Sequence, residues 1–169
     1  MRTGRREFVR GMGAAALAVG LSRRGGAGIP SDEAWARAAD IARKVRPPTF
    51  PARVFDITQF GARGDGSTLN TAAIARAIFE CARAGGGRVL VPAGTFLTGA
   101  IHLKSHVELH VSEGATLKFD TRPSSYPMVF TRWEGMELMN YSPLIYAFEE
   151  KNIGITGKGT LDGQGSAFP

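Results

Sequence analysis

The chain changes its hydrophobic rhythm twice. Between Asp32 and Arg46 apolar side chains return at helical spacing, with Trp35, Ala38, Ala39, Ala42 and Val45 on one stripe, which predicts a helix capped by Ser31. Pro47 and Pro48 end it, and Pro-Pro-Thr-Phe-Pro reads as an extended linker. Val54–Ile57 is a short strand, and the glycines of Phe60–Gly66 permit the positive φ angles of a turn. Asn70 or Thr71 then caps a second helix to about Ala84, whose stripe of Ile74, Ala77, Ile78 and Cys81 needs a partner surface. Gly85-Gly86-Gly87 stops it, and Arg88–Val91 reads as a buried strand closed by Pro92-Ala93-Gly94.

From Thr95 the helical period disappears, and short strands alternate with Gly, Ser, Asn and Pro. Val107, Leu109 and Val111 alternate with Glu108 and His110, so one face is predicted buried and the other wet. Leu117 with Phe119, Ile153 with Ile155, and Leu161 repeat the theme. Val107–Val111, Gly114 and Thr116-Leu117 echo Ile153–Gly157, Gly159 and Thr160-Leu161 at offsets of 46, 45 and 44 residues. That offset suits two coils of a β-helix, each of roughly 20 to 25 residues. The predicted fold class is all-β, a parallel β-helix whose exposed first coil is covered by the helix starting at Thr71. A β-sandwich also uses many short strands, but few two-residue Asn-Gly or Asp-Gly turns join the alternating runs here.

Composition refines this picture. With 169 residues and 43% hydrophobic content there is room for one core, and 22 glycines favour a turn-rich fold over a helix bundle. The net charge of +6 sits mostly at the front: residues 1–28 hold six arginines against Glu7, which leaves the remainder at only +1. A body so nearly neutral lacks the basic face that would neutralise phosphates, so no nucleic-acid partner is expected. The single cysteine, Cys81, lies on the apolar side of the second helix with nothing basic beside it, and reads as a core residue rather than a reactive thiol.

The front charge has its own logic. Arg2, Arg5, Arg6 and Arg10 precede a weakly apolar run from Gly11 to Leu21, followed by Arg23, Arg24 and Gly25-Gly26-Ala27-Gly28, where a peptidase could cut. The run is too short for a stable membrane span. Arg5-Arg6-Glu7-Phe8-Val9 resembles the twin-arginine export motif, with Gly4 where Ser or Thr is usual. Residues 1–28 are thus expected to be an export signal of bacterial type, leading to the periplasm or beyond, rather than a basic arm. Residues 29–52 form a helix and Pro-rich linker, and 53–169 the β domain.

The motifs carry a family likeness. Val54–Gly66, Asn70–Ile74, Gly85–Val89 and Val91–Phe96 resemble the opening of the pectate-lyase-like superfamily of right-handed parallel β-helices. Thr131–Gly135, Asn140–Tyr146 and Asn152–Gly165 are similar to the polygalacturonase branch, glycoside hydrolase family 28, especially its exo-acting and rhamnogalacturonan-related members. The resemblance implies a hydrolase of pectic polysaccharide, working by inversion: one carboxylic acid protonates the leaving oxygen while other carboxylates activate water on the opposite face. It implies no cofactor, and the whole protein is expected to act as a monomer.

The family carries that chemistry on Asn-x-Asp, Asp-Asp, Gly-His-Gly and Arg-x-Lys, and none of these occurs in this chain. No catalytic residue is therefore assigned, and the chain is expected to be an N-terminal part that is inactive alone. Asp56, Asp65, Asp120 and Asp162 stand nearest to recognisable motifs, but turn geometry alone explains an Asp before Gly at positions 65 and 162. His102, His106 and His110 recur every four residues; on strand and turn this reads as a solvated face and offers no tetrahedral metal cage.

Thr131–Tyr141 is the expected substrate-contacting segment, a long insertion between coils. The candidates are Arg132 for a uronate carboxylate, Trp133 and Tyr141 for sugar faces, Glu134 beside them, and Asp162 bordering the cleft. The competing reading is a packed loop anchored by Trp133 and Met136, with Arg132 paired to Glu134 or Glu137. Two other activities fit the superfamily: a Ca²⁺-using lyase, whose Asp cluster and base are equally missing, and a non-catalytic glycan-binding β-helix.

Overall fold

The computed structural model describes residues 32–167. The export-signal segment and the Ser31 cap lie outside them. Two compact units divide between Arg46 and Pro47, so the Pro-rich segment belongs with the β unit.

The first unit contains helix α1, Asp32–Lys44. It ends two residues before the predicted limit, because a residue preceding proline is pushed out of helical geometry. Arg43 pairs with Asp40 one turn back, and Arg43 and Lys44 in the last turn complement the helix dipole.

The second unit is a parallel β-helix. One stack consists of β1 (Val54–Asp56), β3 (Gly87–Val91), β6 (Val107–Val111) and β11 (Gly154–Gly157), all parallel. A second stack holds β2 (Asp65–Leu69), β4 (Gly94–Thr98), β7 (Ala115–Phe119) and β12 (Thr160–Asp162). A third pairs β5 (Ile101–His102) with β10 (Ile145–Tyr146). Alternate side chains point inward and stack coil over coil: Phe55, Val89, Leu109 and Ile155 occupy one register, and Phe96, Leu117 and Leu161 another. Val89, Leu109 and Leu117 are wholly buried, while Ile155 and Leu161 on the last described coil are nearly half exposed.

The register corrects the coil count. Arg88 pairs with Glu108, an offset of 20 residues, and Glu108 pairs directly with Gly154, an offset of 46. The internal echo therefore joins adjacent coils, and the excess length is an insertion between β7 and β10. That insertion is an antiparallel hairpin, β8 (Met128–Trp133) with β9 (Met136–Tyr141). A second strand unforeseen from sequence is β2, whose Asp-Gly-Ser-Thr composition signals a turn; its backbone nevertheless pairs with β4 across a register shift.

Helix α2, Thr71–Arg83, buries Ala73, Ile74, Ala77, Ile78 and Cys81 over β1 and β3 and reaches β5 and β6, covering the first coils as expected. Burial of Ile74 and Ile78 contributes about 1.5–3 kcal/mol each. Neither predicted cap acts through its side chain. Asn70, wholly buried, accepts from the Arg63 N–H (2.7 Å) and donates to the carbonyls of Arg63, Thr68 and Leu97. Thr71 Oγ1 accepts the Gly99 N–H at 2.7 Å. Both side chains tie the front turn to the next coil instead. At the helix end Gly86 (φ 97) is required, since a Cβ there would lie 2.4 Å from the His106 carbonyl oxygen.

The outer face of the first stack is drier than alternation predicts. Glu108 is 6% exposed, because residues Thr49–Ala52 run across this face. Asn152 donates to the Thr49 carbonyl (2.7 Å), and Phe50 packs where any side chain at Gly154 would stand. Arg88 meets Glu108 with two hydrogen bonds of 2.8 and 3.1 Å, and Thr156 donates to the same carboxylate at 2.7 Å. These contacts hold the Glu108 carboxyl below its usual range, the arginine contributing most.

Candidate functional site

The four acids singled out from sequence share one local job. Asp56, Asp65, Asp120 and Asp162 each accept the backbone N–H two residues onward, from Thr58, Ser67, Arg122 and Gln164 respectively. Asp65 also takes the Thr68 hydroxyl and N–H, which hold its carboxyl far below the usual range. At the base of the hairpin, Asp120 is nearly buried and accepts from Arg122 Nε (2.9 Å) and Ser125 Oγ (2.5 Å). Arg122 is the main cause that brings its pKa down to about 2, against the opposing effect of burial. All four carboxylates are engaged in turns, the role that turn geometry alone assigned to Asp65 and Asp162.

The three histidines reach different partners on the following coil. His102 Nε2 lies 3.0 Å from Ser142 Oγ and its ring stacks at a tilt on Tyr146, centroids 5.1 Å apart. Burial, helped by Lys104, pushes the His102 pKa below its ordinary value. His106 Nδ1 is 3.3 Å from Asn152 Nδ2, and His110 Nδ1 is 2.8 Å from Thr156 Oγ1. His106 is exposed and His102 and His110 half-buried, so the spacing of four builds inter-coil contacts on a partly solvated face. Among the described residues no group of three His, Cys, Asp or Glu side chains is placed to hold a metal. Cys81 is wholly buried in the core, and desolvation raises its pKa to about 11.

The hairpin carries the expected contact residues, and its pleat separates them. Glu134 (φ 48) and Gly135 (φ 88) form its two-residue turn, a pair of left-handed residues that suits the strand twist. Met128, Phe130 and Arg132 face the same way as their partners Tyr141, Met139 and Glu137. Trp133 and its partner Met136 point to the opposite face at the tip, 62% and 64% exposed, so neither anchors the segment. Tyr141 lies at the far end from Arg132, roughly 13 Å along the strand. Arg132 approaches Glu137 Oε1 at 3.9 Å, an exposed pair too long for a hydrogen bond.

Anchoring comes from residues that sequence reading passed over. Tyr146 donates its hydroxyl to the Phe130 carbonyl at 2.7 Å, and Phe130 meets Phe148 edge-on with centroids 5.5 Å apart. The only sequence signal for them was the spacing of two between Tyr146 and Phe148, which puts both on one face after β10 begins. Between this segment and the hairpin lies a cleft of about 390 Å³, lined by Phe130, Arg132, Glu137, Ile145, Tyr146 and Phe148 among others. Asp162 ends β12 beside Lys118, and the following Gly163 borders Leu144, on the segment that leaves the hairpin. Hairpin and Asp162 thus share the corner that follows the second stack.

Comparison with known proteins bears on what this corner serves. A family model described as rhamnogalacturonase A/epimerase, pectate lyase-like, matches residues 54–117. An exo-poly-alpha-D-galacturonosidase of Dickeya chrysanthemi is 41% identical over 125 residues, 69% of this chain and 20% of that protein. An endo-polygalacturonase of Pectobacterium parmentieri is 31% identical over 169 residues, 94% of this chain and 37% of that protein. Among solved structures, a hyperthermoactive exopolygalacturonase from Thermotoga maritima superposes with a TM-score of 0.70 at 52% identity, over 74% of this chain and 28% of that one. The chain spans 20% and 37% of the length of these two curated relatives.

Proposed function

We propose that this chain, a homologue of the polygalacturonases in sequence and in fold, is an N-terminal-like part of an exported glycoside hydrolase that acts on pectic polysaccharide. The observation that carries the reading is the agreement of sequence and coil with an exopolygalacturonase, 52% identical over 74% of the chain. The Asp-Gly-Gln-Gly turn closes β12, and the family's Asp-rich motifs belong to coils beyond such a turn. The parallel stacks described here then serve as the platform on which a later coil positions the general acid and the water-activating carboxylates, cleaving with inversion. The corner bearing the hairpin and Asp162 supplies substrate contacts, Arg132 foremost because it alone among the candidates brings a cation into the cleft. Residues 1–28 direct export, and the whole protein works as a monomer without a cofactor.

The test is hydrolysis of polygalacturonate by the protein carrying the Asp-rich coils, followed by proton NMR of the freshly released anomer. Inverted product and a rise in reducing ends are expected, with no release by the 169-residue chain alone. An unsaturated, ultraviolet-absorbing product that depends on Ca²⁺ would overturn hydrolysis in favour of elimination. Export is read from fractionation of cells expressing the chain: Arg5→Lys with Arg6→Lys is expected to leave it in the cytoplasm, and unchanged export would refute the twin-arginine route.

A further inference from the structure

The methionines among the described residues, Met128, Met136 and Met139, all lie in the β8–β9 hairpin. Each stands opposite an aromatic residue in the register: Met128 pairs with Tyr141, Met139 with Phe130, and Met136 with Trp133. Side chains directly opposite on an antiparallel pair have Cβ atoms about 5 Å apart. That is the range over which a thioether sulfur makes a favourable contact with an aromatic ring. On the face that carries Met128 and Met139 the two kinds alternate along the strands as well as across them, since Phe130 follows Met128, and Tyr141 follows Met139, two residues on.

These pairs decide whether the ladder stays closed. A two-stranded hairpin is marginal in water by itself, and cross-strand side-chain pairs are its unit of stabilisation. The root is fastened where the Ser142 N–H donates to the Pro127 carbonyl (2.8 Å), and the Tyr146 hydroxyl holds the Phe130 carbonyl. Beyond that point the exposed Arg132–Glu137 pair, 3.9 Å apart, adds little. The sulfurs are also open to solvent: Met128, Met136 and Met139 are 53%, 64% and 56% exposed, whereas the Cys81 thiol is wholly buried. A reagent in solution therefore reaches the thioethers and not the thiol.

We propose that Met128, Met136 and Met139 form an oxidative modification site that governs the order of the hairpin: conversion to sulfoxides unzips β8 from β9, and reduction closes the ladder again. The oxidant is a peroxide. A lone pair of the thioether sulfur attacks one peroxide oxygen, the O–O bond breaks and an S–O bond forms; sulfur gives up two electrons, and hydrogen peroxide leaves as water. In the reverse step a pair of thiols supplies two electrons and two protons, the oxygen departs as water, and the thiols become a disulfide. A sulfoxide oxygen accepts hydrogen bonds from water, so the side chain that bears it no longer rests against a ring, and both faces of the hairpin lose their pairs together. Since Phe130 on β8 is part of the cleft wall, opening the ladder also dismantles the cleft. The inference goes beyond the hydrolase reading and stands without it, because hairpin order is measured directly.

The test treats the 169-residue chain with hydrogen peroxide, stops the reaction with catalase, and follows with peptide mass spectrometry and amide hydrogen exchange. One added oxygen on each of the three methionines is expected, with Cys81 unmodified. Exchange of the amides of residues 128–141 is expected to rise on the order of ten- to hundredfold, and that of β3 and β6 to stay within about twofold. Methionine sulfoxide reductases for both epimers are expected to restore slow exchange, which separates the methionines from any oxidised Trp133 and needs no variant. Met128→Leu combined with Met136→Leu and Met139→Leu keeps the apolar bulk, and peroxide is expected to leave its exchange unchanged. The proposal is overturned if the three sulfoxides form without faster exchange, or if the methionines of the folded chain resist peroxide. It is equally overturned if the leucine variant loosens as much as the parent, or if the reductases remove the oxygens while exchange stays fast.

Discussion

Replacing Gly157 by alanine is expected to destabilise the β unit far more than the same change at Gly135. Both glycines have left-handed φ angles, 104° and 88°, so each alanine incurs a backbone strain of about 1–2 kcal/mol. Part of that is offset, because alanine also restricts the unfolded chain by about 0.4–1 kcal/mol. At Gly135, on the hairpin turn, a Cβ meets nothing within 4 Å, so the net loss stays near 1 kcal/mol. At Gly157 the Cβ would sit 1.9 Å from the Val111 carbonyl oxygen, which also accepts the Gly159 N–H at 3.0 Å. Relief requires the last rung to move off β6, sacrificing one or more ladder hydrogen bonds worth about 1 kcal/mol each and part of the interior contact between Leu109 and Ile155. The expected total is about 3–4 kcal/mol. Urea unfolding followed by circular dichroism at constant m-value measures both variants. Equal losses for the two would show that the close approach of the coils does not set the requirement for glycine.

Asp120 titrates in the folded protein at about 2, below its unfolded value near 3.8. Its contribution is therefore complete above about pH 4 and is lost as pH falls toward 2, on the order of 1–2 kcal/mol, so Asp120→Asn is expected to flatten the urea midpoint over that interval. Removing Arg88 leaves the Glu108 carboxylate buried with one partner gone, so Arg88→Ala is expected to cost about 2–3 kcal/mol, and Arg88→Ala with Glu108→Ala less than the sum of the single changes; additivity would count against the coupling. The Cys81 thiol, buried and raised to about 11, is expected to resist maleimide in native protein at pH 8 and to react on unfolding; native labelling at the unfolded rate would contradict its place in the core.

Much of the architecture was legible because stacked coils repeat their chemistry in register. The echo of Val107–Val111 in Ile153–Gly157 matched the true ladder residue for residue, since both segments must place small or branched side chains inward over the same column. The number of coils was not legible, because the inserted hairpin is close to a coil in length and its Glu-Gly turn lacks the usual Asn or Asp. The buried state of Glu108 was hidden for a different reason: what covers it arrives from Thr49–Ala52, far away along the chain, and no local pattern reports it. Of the candidate site, Arg132 could be named from residue type alone. Its neighbours could not, because Phe130 and Phe148 meet only through the fold, and because strand pleat, invisible until the hairpin is recognised, sends Trp133 to the other side.

The segment that crosses the first stack also constrains when its own docking can occur. Thr49 and Phe50 find their partners on Asn152 and Gly154, some hundred positions later in the chain, so this early-made stretch lacks those partners until the fourth rung has left the ribosome. Its fastening, like a belt drawn across four layers, reports that the fourth rung has been laid.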